Sequence, residues 1–150
     1  MSSTTTDFLS SIRQITRLHE AMLRDLCERY HLTLSEAAIL SFLHNNPGKD
    51  TAADIVELRG LKKSNVSPAV ESLYQKNLIT RRQDRADRRR IHLTLTRHAC
   101  PIAEDVEQIN RDLRKIIFLG LTPAEVETFC QINQKIRENT RTAMERRELK

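Results

Sequence analysis

The sequence predicts a mainly α-helical fold with a small two- to three-stranded β wing, a winged helix-turn-helix accompanied by a helical dimerisation region. Three observations lead there. Six arginines fall within residues 81–90, and that stretch lies between two β-like runs. Just upstream, Asp54 to Asn77 reads as two short helices joined by a turn. At both ends of the chain, apolar residues recur at helical spacing over longer stretches than a module of some sixty residues could cover.

Residues 1–6 are expected to be disordered. From Asp7 to about Tyr30, apolar residues stand at Phe8, Ile12, Ile15, Leu18, Met22, Leu26 and Tyr30, in steps of three and four that make one long amphipathic helix. Thr33-Leu34-Ser35-Glu36 is a capping box and opens a second helix, which stops before Asn45-Asn46-Pro47-Gly48. Thr51 with Asp54 caps a third, ending near Arg59-Gly60. A fourth runs from roughly Lys62 to Lys76, with Val66, Ala69, Val70 and Leu73 facing inward. Pro68 removes an amide bond inside it and predicts an open or bent first turn.

Asn77 can take the left-handed conformation that follows a helix end. Leu78 to Arg82 is then one strand and Arg90 to Leu95 the other, with Ile91, Leu93 and Leu95 alternating with His92 and Thr94. A fifth helix follows Thr96, with Ile102, Val106, Ile109, Leu113, Ile116 and Ile117 as its stripe. Thr122, Pro123 and Glu125 form the start of a sixth, running to about Arg146 with Val126, Phe129, Cys130, Ile136 and Ala143 inward. The expected organisation is a helical dimerisation region, residues 1–32 and 97–150, around a winged helix-turn-helix DNA-binding domain, residues 33–96.

Composition narrows the function. The 150 residues carry a net charge of +5, placed unevenly. Residues 60–100 hold ten Lys or Arg against three Asp or Glu, and the rest of the chain holds fifteen against seventeen. Basicity concentrated on one module is the footprint of a phosphate-backbone partner. Three cysteines, widely spaced and odd in number, suit neither a disulfide framework nor a zinc finger. The longest apolar run, Ile116 to Leu119, is far too short to span a bilayer, and no secretory signal is visible at Met1–Asp7, so a cytoplasmic protein is expected. Three glycines leave no phosphate loop, and no catalytic constellation appears, so no enzyme and no cofactor are expected.

The candidate DNA-binding residues fall in two groups. Lys62, Lys63, Ser64, Asn65 and Ser67 occupy the first turns of the fourth helix, the end that meets base edges in helix-turn-helix docking. Arg81, Arg82, Arg85, Asp87, Arg88, Arg89 and Arg90 belong to the wing. Asp87 and Arg89, two apart on an extended chain, share a side, so the carboxylate is expected to aim the guanidinium into a narrow minor groove. The bland reading is a surface ion pair worth about 0–1 kcal/mol. Arg88 and Arg90 then point the other way, toward phosphates or a neighbouring acid.

These residues resemble the MarR-type family, the multiple-antibiotic-resistance regulators. Asp87-Arg88-Arg89 with Ile91, Leu93, Leu95 and Thr96 is similar to the family's Asp-x-Arg and Leu-Thr signature. Val66 to Leu73 with Leu78-Ile79-Thr80-Arg81 resembles its recognition helix and exit into the wing, and Leu32-Thr33-Leu34 its opening of helix two. Asn77 and Ala99 depart from it, standing where glycine is common. The resemblance implies a homodimeric transcriptional regulator, a repressor, bound to a pseudo-palindromic double-stranded DNA operator. It also implies a small organic effector, often phenolic, bound in a cleft near His19, Met22, Leu23 and His44.

Other readings weigh less. Cys27 and His31 are four apart, a spacing that with Glu28 or His44 could hold a metal, but a core cysteine beside a surface histidine is the commoner arrangement and no metal is expected. Redox sensing by Cys27 depends on thiol exposure that sequence does not show. A winged-helix module that binds an acidic protein partner is the main alternative function. Only 4% aromatic residues argue against single-strand or RNA binding, which needs stacking platforms.

Overall fold

The computed structural model describes residues 4–148. Its elements are α1 (Thr4–Tyr30), α2 (Leu34–Asn45), α3 (Ala52–Asp54) running on into wider π-type turns (Ile55–Arg59), α4 (Lys63–Gln75), β1 (Ile79–Gln83), β2 (Ile91–Leu95), α5 (Ala99–Ile117) and α6 (Pro123–Glu148). The chain divides into two compact units, one ending at Leu113 and one beginning at Arg114.

In the first unit α2 is the central element, with Ala37, Ile39 and Leu40 fully enclosed. Around it lie the ends of α1 (Leu23, Leu26), of α4 (Val66, Leu73) and of α5 (Ile102, Val106), with Ile79 and Leu93 closing the side toward the wing. Strands β1 and β2 are antiparallel, with Arg81 opposite Leu93 and Arg82 opposite His92. Among the described residues no third strand forms. Its place is held by one backbone bond, Leu93 N–H to the Asp50 carbonyl at 2.9 Å.

The capping residues act as expected. Thr33 and Glu36 satisfy each other's amides at 3.1 and 3.0 Å, Thr51 and Asp54 do the same at 3.2 Å, and Thr122 and Glu125 at 2.9 and 3.1 Å. Two helices end on left-handed residues other than glycine. Asn77 (φ 60°) closes α4, with Leu78 N–H returning to the Leu73 carbonyl at 3.0 Å. His31 (φ 54°) closes α1, with Leu32 N–H on the Cys27 carbonyl at 2.8 Å.

Three expectations need correction, and one departure from the family pattern finds its explanation. Helix α1 already includes Thr4–Thr6, because a first turn of threonines still propagates when Asp7 complements its dipole; residues 1–3 lie outside the described residues. The first turn of α4 is closed, since the Asn65 and Val66 amides share the Lys62 carbonyl at 2.9 and 3.0 Å, and the helix runs through Pro68. Helix α5 opens at Ala99, which is fully buried and bonds back to Thr96, so no glycine is needed. In α6 none of Val126, Phe129, Cys130, Ile136 and Ala143 is buried. The second unit offers that helix little to pack on beyond the edge contact of Phe118 with Phe129, ring centroids 5.5 Å apart.

One buried charge organises the first unit. The Glu36 side chain is 2% exposed and accepts from Lys76 Nζ at 2.9 Å and from the Ser72 hydroxyl at 3.1 Å, in addition to its capping bond. Burial alone would raise its carboxyl. The bonds from Lys76, Thr33 and Ser72 outweigh that and hold it below the ordinary carboxylate range. Lys76 also donates to the His31 carbonyl at 2.6 Å. Its ammonium thus joins the end of α4 to the α1–α2 connection.

Lys76→Met should therefore cost about 1–2 kcal/mol, less than a fully buried pair because Lys76 is 35% exposed. The contribution of a depressed carboxyl is present above its unfolded value and disappears as pH falls through the folded one. Removing Lys76 raises the folded value toward the unfolded one, so the variant loses less stability on acidification and its deficit against the wild type narrows at acid pH. Urea unfolding of both proteins at neutral and acid pH measures this.

Candidate nucleic-acid interface

Lys62 is the N-cap residue of α4, and Lys63, Ser64, Asn65 and Ser67 follow in its first turns. All five are exposed. Beneath them Val66, Ala69, Val70 and Leu73 anchor the helix to the core, which leaves the first turns free to meet a groove.

The wing tip is built on Asp84. One of its oxygens, Oδ2, accepts from the Ala86 and Asp87 amides at 3.0 and 2.8 Å. The other, Oδ1, meets His92 Nε2 at 2.7 Å. The histidine bond and then the two amide bonds pull the Asp84 carboxyl down to about 2. Asp84 N–H and Arg90 N–H close the loop on the Arg90 and Asp87 carbonyls, and the Gln83 amide donates to the Arg88 carbonyl at 3.0 Å.

Arg82, Arg85, Arg88, Arg89 and Arg90 are all exposed, the last four on the tip. Asp87 does not aim the Arg89 guanidinium. Its carboxylate accepts from the Arg89 backbone amide at 3.0 Å, because in a tight turn the amide two residues on is nearer than the end of a long side chain. It shapes the turn that carries Arg89.

Arg81, also exposed, is engaged by other residues of the chain. Its guanidinium bonds Glu71 at 2.8 Å and lies 3.7 Å from the centroid of the Tyr74 ring, both on α4. Arg81 therefore ties β1 to the helix that presents Lys62 to Ser67. Gln75 and then Arg81 hold the Glu71 carboxyl below its ordinary range.

Residues 30–90 match the MarR family model. Solved structures share the fold across nearly the whole chain. A MarR protein from Peptoclostridium difficile is 18% identical over 95% of this chain and 94% of its own, with a TM-score of 0.81. A putative MarR family regulator from Listeria monocytogenes, complexed with a 26mer DNA, is 15% identical over 95% of this chain and 92% of its own, TM-score 0.78. BpsR from Bordetella bronchiseptica, described with regulation of its DNA binding by 6-hydroxynicotinic acid, is 23% identical over 87% of this chain and 98% of its own, TM-score 0.68. The winged module is thus similar to the MarR family, and the chain shares the fold of these solved structures.

The winged module brings the two candidate DNA-binding groups onto one framework but scatters the effector candidates. His19 Nε2 meets Asn110 Oδ1 at 2.7 Å, and Asn110 reaches the Ser41 hydroxyl at 3.3 Å, a polar chain across α1, α5 and α2. Met22 is half-buried beside it. Leu23 is a core residue and His44 lies exposed in the last turn of α2, so neither lines a cleft with His19. Helical spacing assigns a face and not a depth, which is why both were drawn in. A cleft of about 330 Å³ lies instead between Thr51–Asp54 and Arg89–Ile91. Cys27 is buried, and burial followed by the nearby Glu36 pushes its thiol up, the opposite of a reactive thiolate.

Sequence reasoning missed Asp50, Glu71, Tyr74, Asp84 and His92. The Asp84-x-x-Asp87 spacing was an available sign of a side-chain-closed turn. Asp84→Ala removes the acceptor for the Ala86 and Asp87 amides. Hydrogen exchange at those two amides should accelerate by about tenfold, while amides of α2 and α5 keep wild-type protection.

Proposed function

We propose that the chain is a homodimeric, sequence-specific duplex-DNA-binding repressor of the MarR type, released from a pseudo-palindromic operator by a small organic effector. The observation that carries this reading is the wing. A tip with Arg85, Arg88, Arg89 and Arg90 exposed is closed by side-chain bonds, and its base is tied by Arg81 to the helix bearing Lys62, Lys63, Ser64, Asn65 and Ser67. A fixed cationic tip suits a minor groove, and exposed polar first turns suit a major one. Residues 33–96 read the DNA, and residues 1–32 and 97–150 make the dimer. The setting is cytoplasmic; among the described residues no helix is long and apolar enough to cross a membrane.

Dimerisation is supported by apolar surface that each unit leaves uncovered. In the first unit Phe8, Leu9, Ile12 and Ile15 of α1 stand exposed at helical spacing, and in the second Phe129, Ile132 and Met144 of α6 do. A second subunit is the natural cover, and its two-fold matches a two-half-site operator. Release by an effector draws support from BpsR, whose DNA binding is regulated by an aromatic acid. The His19–Asn110–Ser41 chain is the polar group such a ligand would meet.

Light scattering at micromolar concentration should return about twice the 17.4 kDa chain mass; a clean monomer contradicts the dimer. On DNA recovered with the protein, Arg89→Ala should weaken binding by about 1–3 kcal/mol with melting unchanged. Wild-type affinity in that variant would remove the wing from the interface and favour an acidic protein partner. Aromatic carboxylates titrated with and without operator should show reciprocal weakening, and binding indifferent to DNA would exclude them as the switch.

A further inference from the structure

We propose that His92 is the positioning residue of the wing: as an imidazolium bonded at both ring nitrogens it fastens the wing tip to the segment that opens α3, and DNA affinity follows its proton. This rests on the DNA-binding reading for its second half only. His92 Nε2 meets Asp84 Oδ1 and its Nδ1 meets Asp50 Oδ1, each at 2.7 Å, and the ring is 17% exposed. Asp84 and Asp50 lie 34 residues apart in sequence and are joined through this one ring.

Both partners are carboxylates, which only accept when ionised, and Asp84 is ionised at any pH above about 2. A neutral imidazole has one N–H. It could satisfy one carboxylate and would turn a lone pair toward the other. The observed pair of short contacts therefore calls for the doubly protonated ring.

Each carboxylate also carries backbone. Asp84 Oδ2 holds the Ala86 and Asp87 amides that close the tip, and the Asp50 carbonyl accepts from Leu93 N–H. Release of the ring thus unfastens the carboxylate whose other oxygen closes the tip on one side, and the residue whose carbonyl holds Leu93 on the other. The charged groups facing His92 are Asp84 from the wing turn, Asp50 from the segment before α3, and Arg82, its cross-strand neighbour on β1. Asp84 and then Asp50 raise the histidine above its ordinary value against the opposing effects of partial burial and Arg82. A raised group stabilises fully below its unfolded value and stops doing so as pH rises through the folded one. The wing is therefore fastened fully on the acid side of the ordinary histidine value and loosens as pH rises through the raised one.

Loss of a proton from a basic wing would weaken DNA binding by charge alone. Asp50→Ala separates the two accounts. It makes the module more positive, so a charge account demands tighter binding. The positioning account demands weaker binding, because the ring loses its second partner. The protein is labelled at histidine nitrogen and followed by NMR between about pH 6 and pH 9. His92 should carry both protons at neutral pH and titrate above the other histidines, with protection of the Ala86 and Asp87 amides falling as it does. Duplex affinity should fall by about tenfold across that titration in the wild type, stay level in His92→Gln at the weaker value, and be lower in Asp50→Ala at neutral pH. A singly protonated His92 at neutral pH, amide protection indifferent to its titration, or tighter binding by Asp50→Ala would overturn the proposal. Absence of duplex binding by the wild type at every pH would overturn the DNA reading, and the ring and amide measurements would still decide the fastening.

Discussion

The Asp84 carboxylate lets a strand pair bearing six arginines within residues 81–90 turn back on itself. Such a segment repels itself at every turn of the chain, and a flexible basic loop would pay in entropy for each contact it made. Asp84 supplies two acceptor sites to the tip backbone and one to His92, and His92 hands the connection on to Asp50. The carboxyl stays ionised far below neutral pH, so mild acidity does not remove this acceptor from the tip. The exposed arginines are left with their charge free for phosphate or a groove.

The same economy recurs at the base of the module. Glu36 is buried to receive Lys76 and Ser72 of α4 and the amide of Thr33, which fixes one end of the helix whose other end carries Lys62 to Ser67. Arg81 crosses from β1 to Glu71 and Tyr74 on that helix. Helix, wing and helix-turn-helix opening are thus joined by a small set of charged bonds, each with one partner in the wing or on α4. Docking two grooves at once needs their spacing held, and these bonds hold it without covering the first turns of α4 or the tip.

Much of this was legible in the sequence because local rules govern it. The three capping boxes, the left-handed Asn77 and the alternation of Ile91, Leu93 and Leu95 each depend on residues within a few positions of one another. What escaped depends on distance along the chain. His92 finds Asp50 across 42 positions and Lys76 finds Glu36 across 40. Alternation placed His92 on the opposite face from Leu93 but could not name its partners. Arg81 looked like its neighbours, and only the approach of Tyr74 separates it from them. The stripe of α6 was read as inward because period reports a face, whereas burial requires something to pack against.

The central claim is that a fixed cationic surface on this module meets the phosphate backbone of a duplex. Its most direct test is the salt dependence of binding to a duplex taken from upstream of the protein's own gene. Each phosphate neutralised releases counterions, so the logarithm of the affinity should fall linearly with the logarithm of salt concentration, with a slope of about −4 or steeper. A slope near zero, with binding retained, would mean that the arginines of the wing serve some other partner.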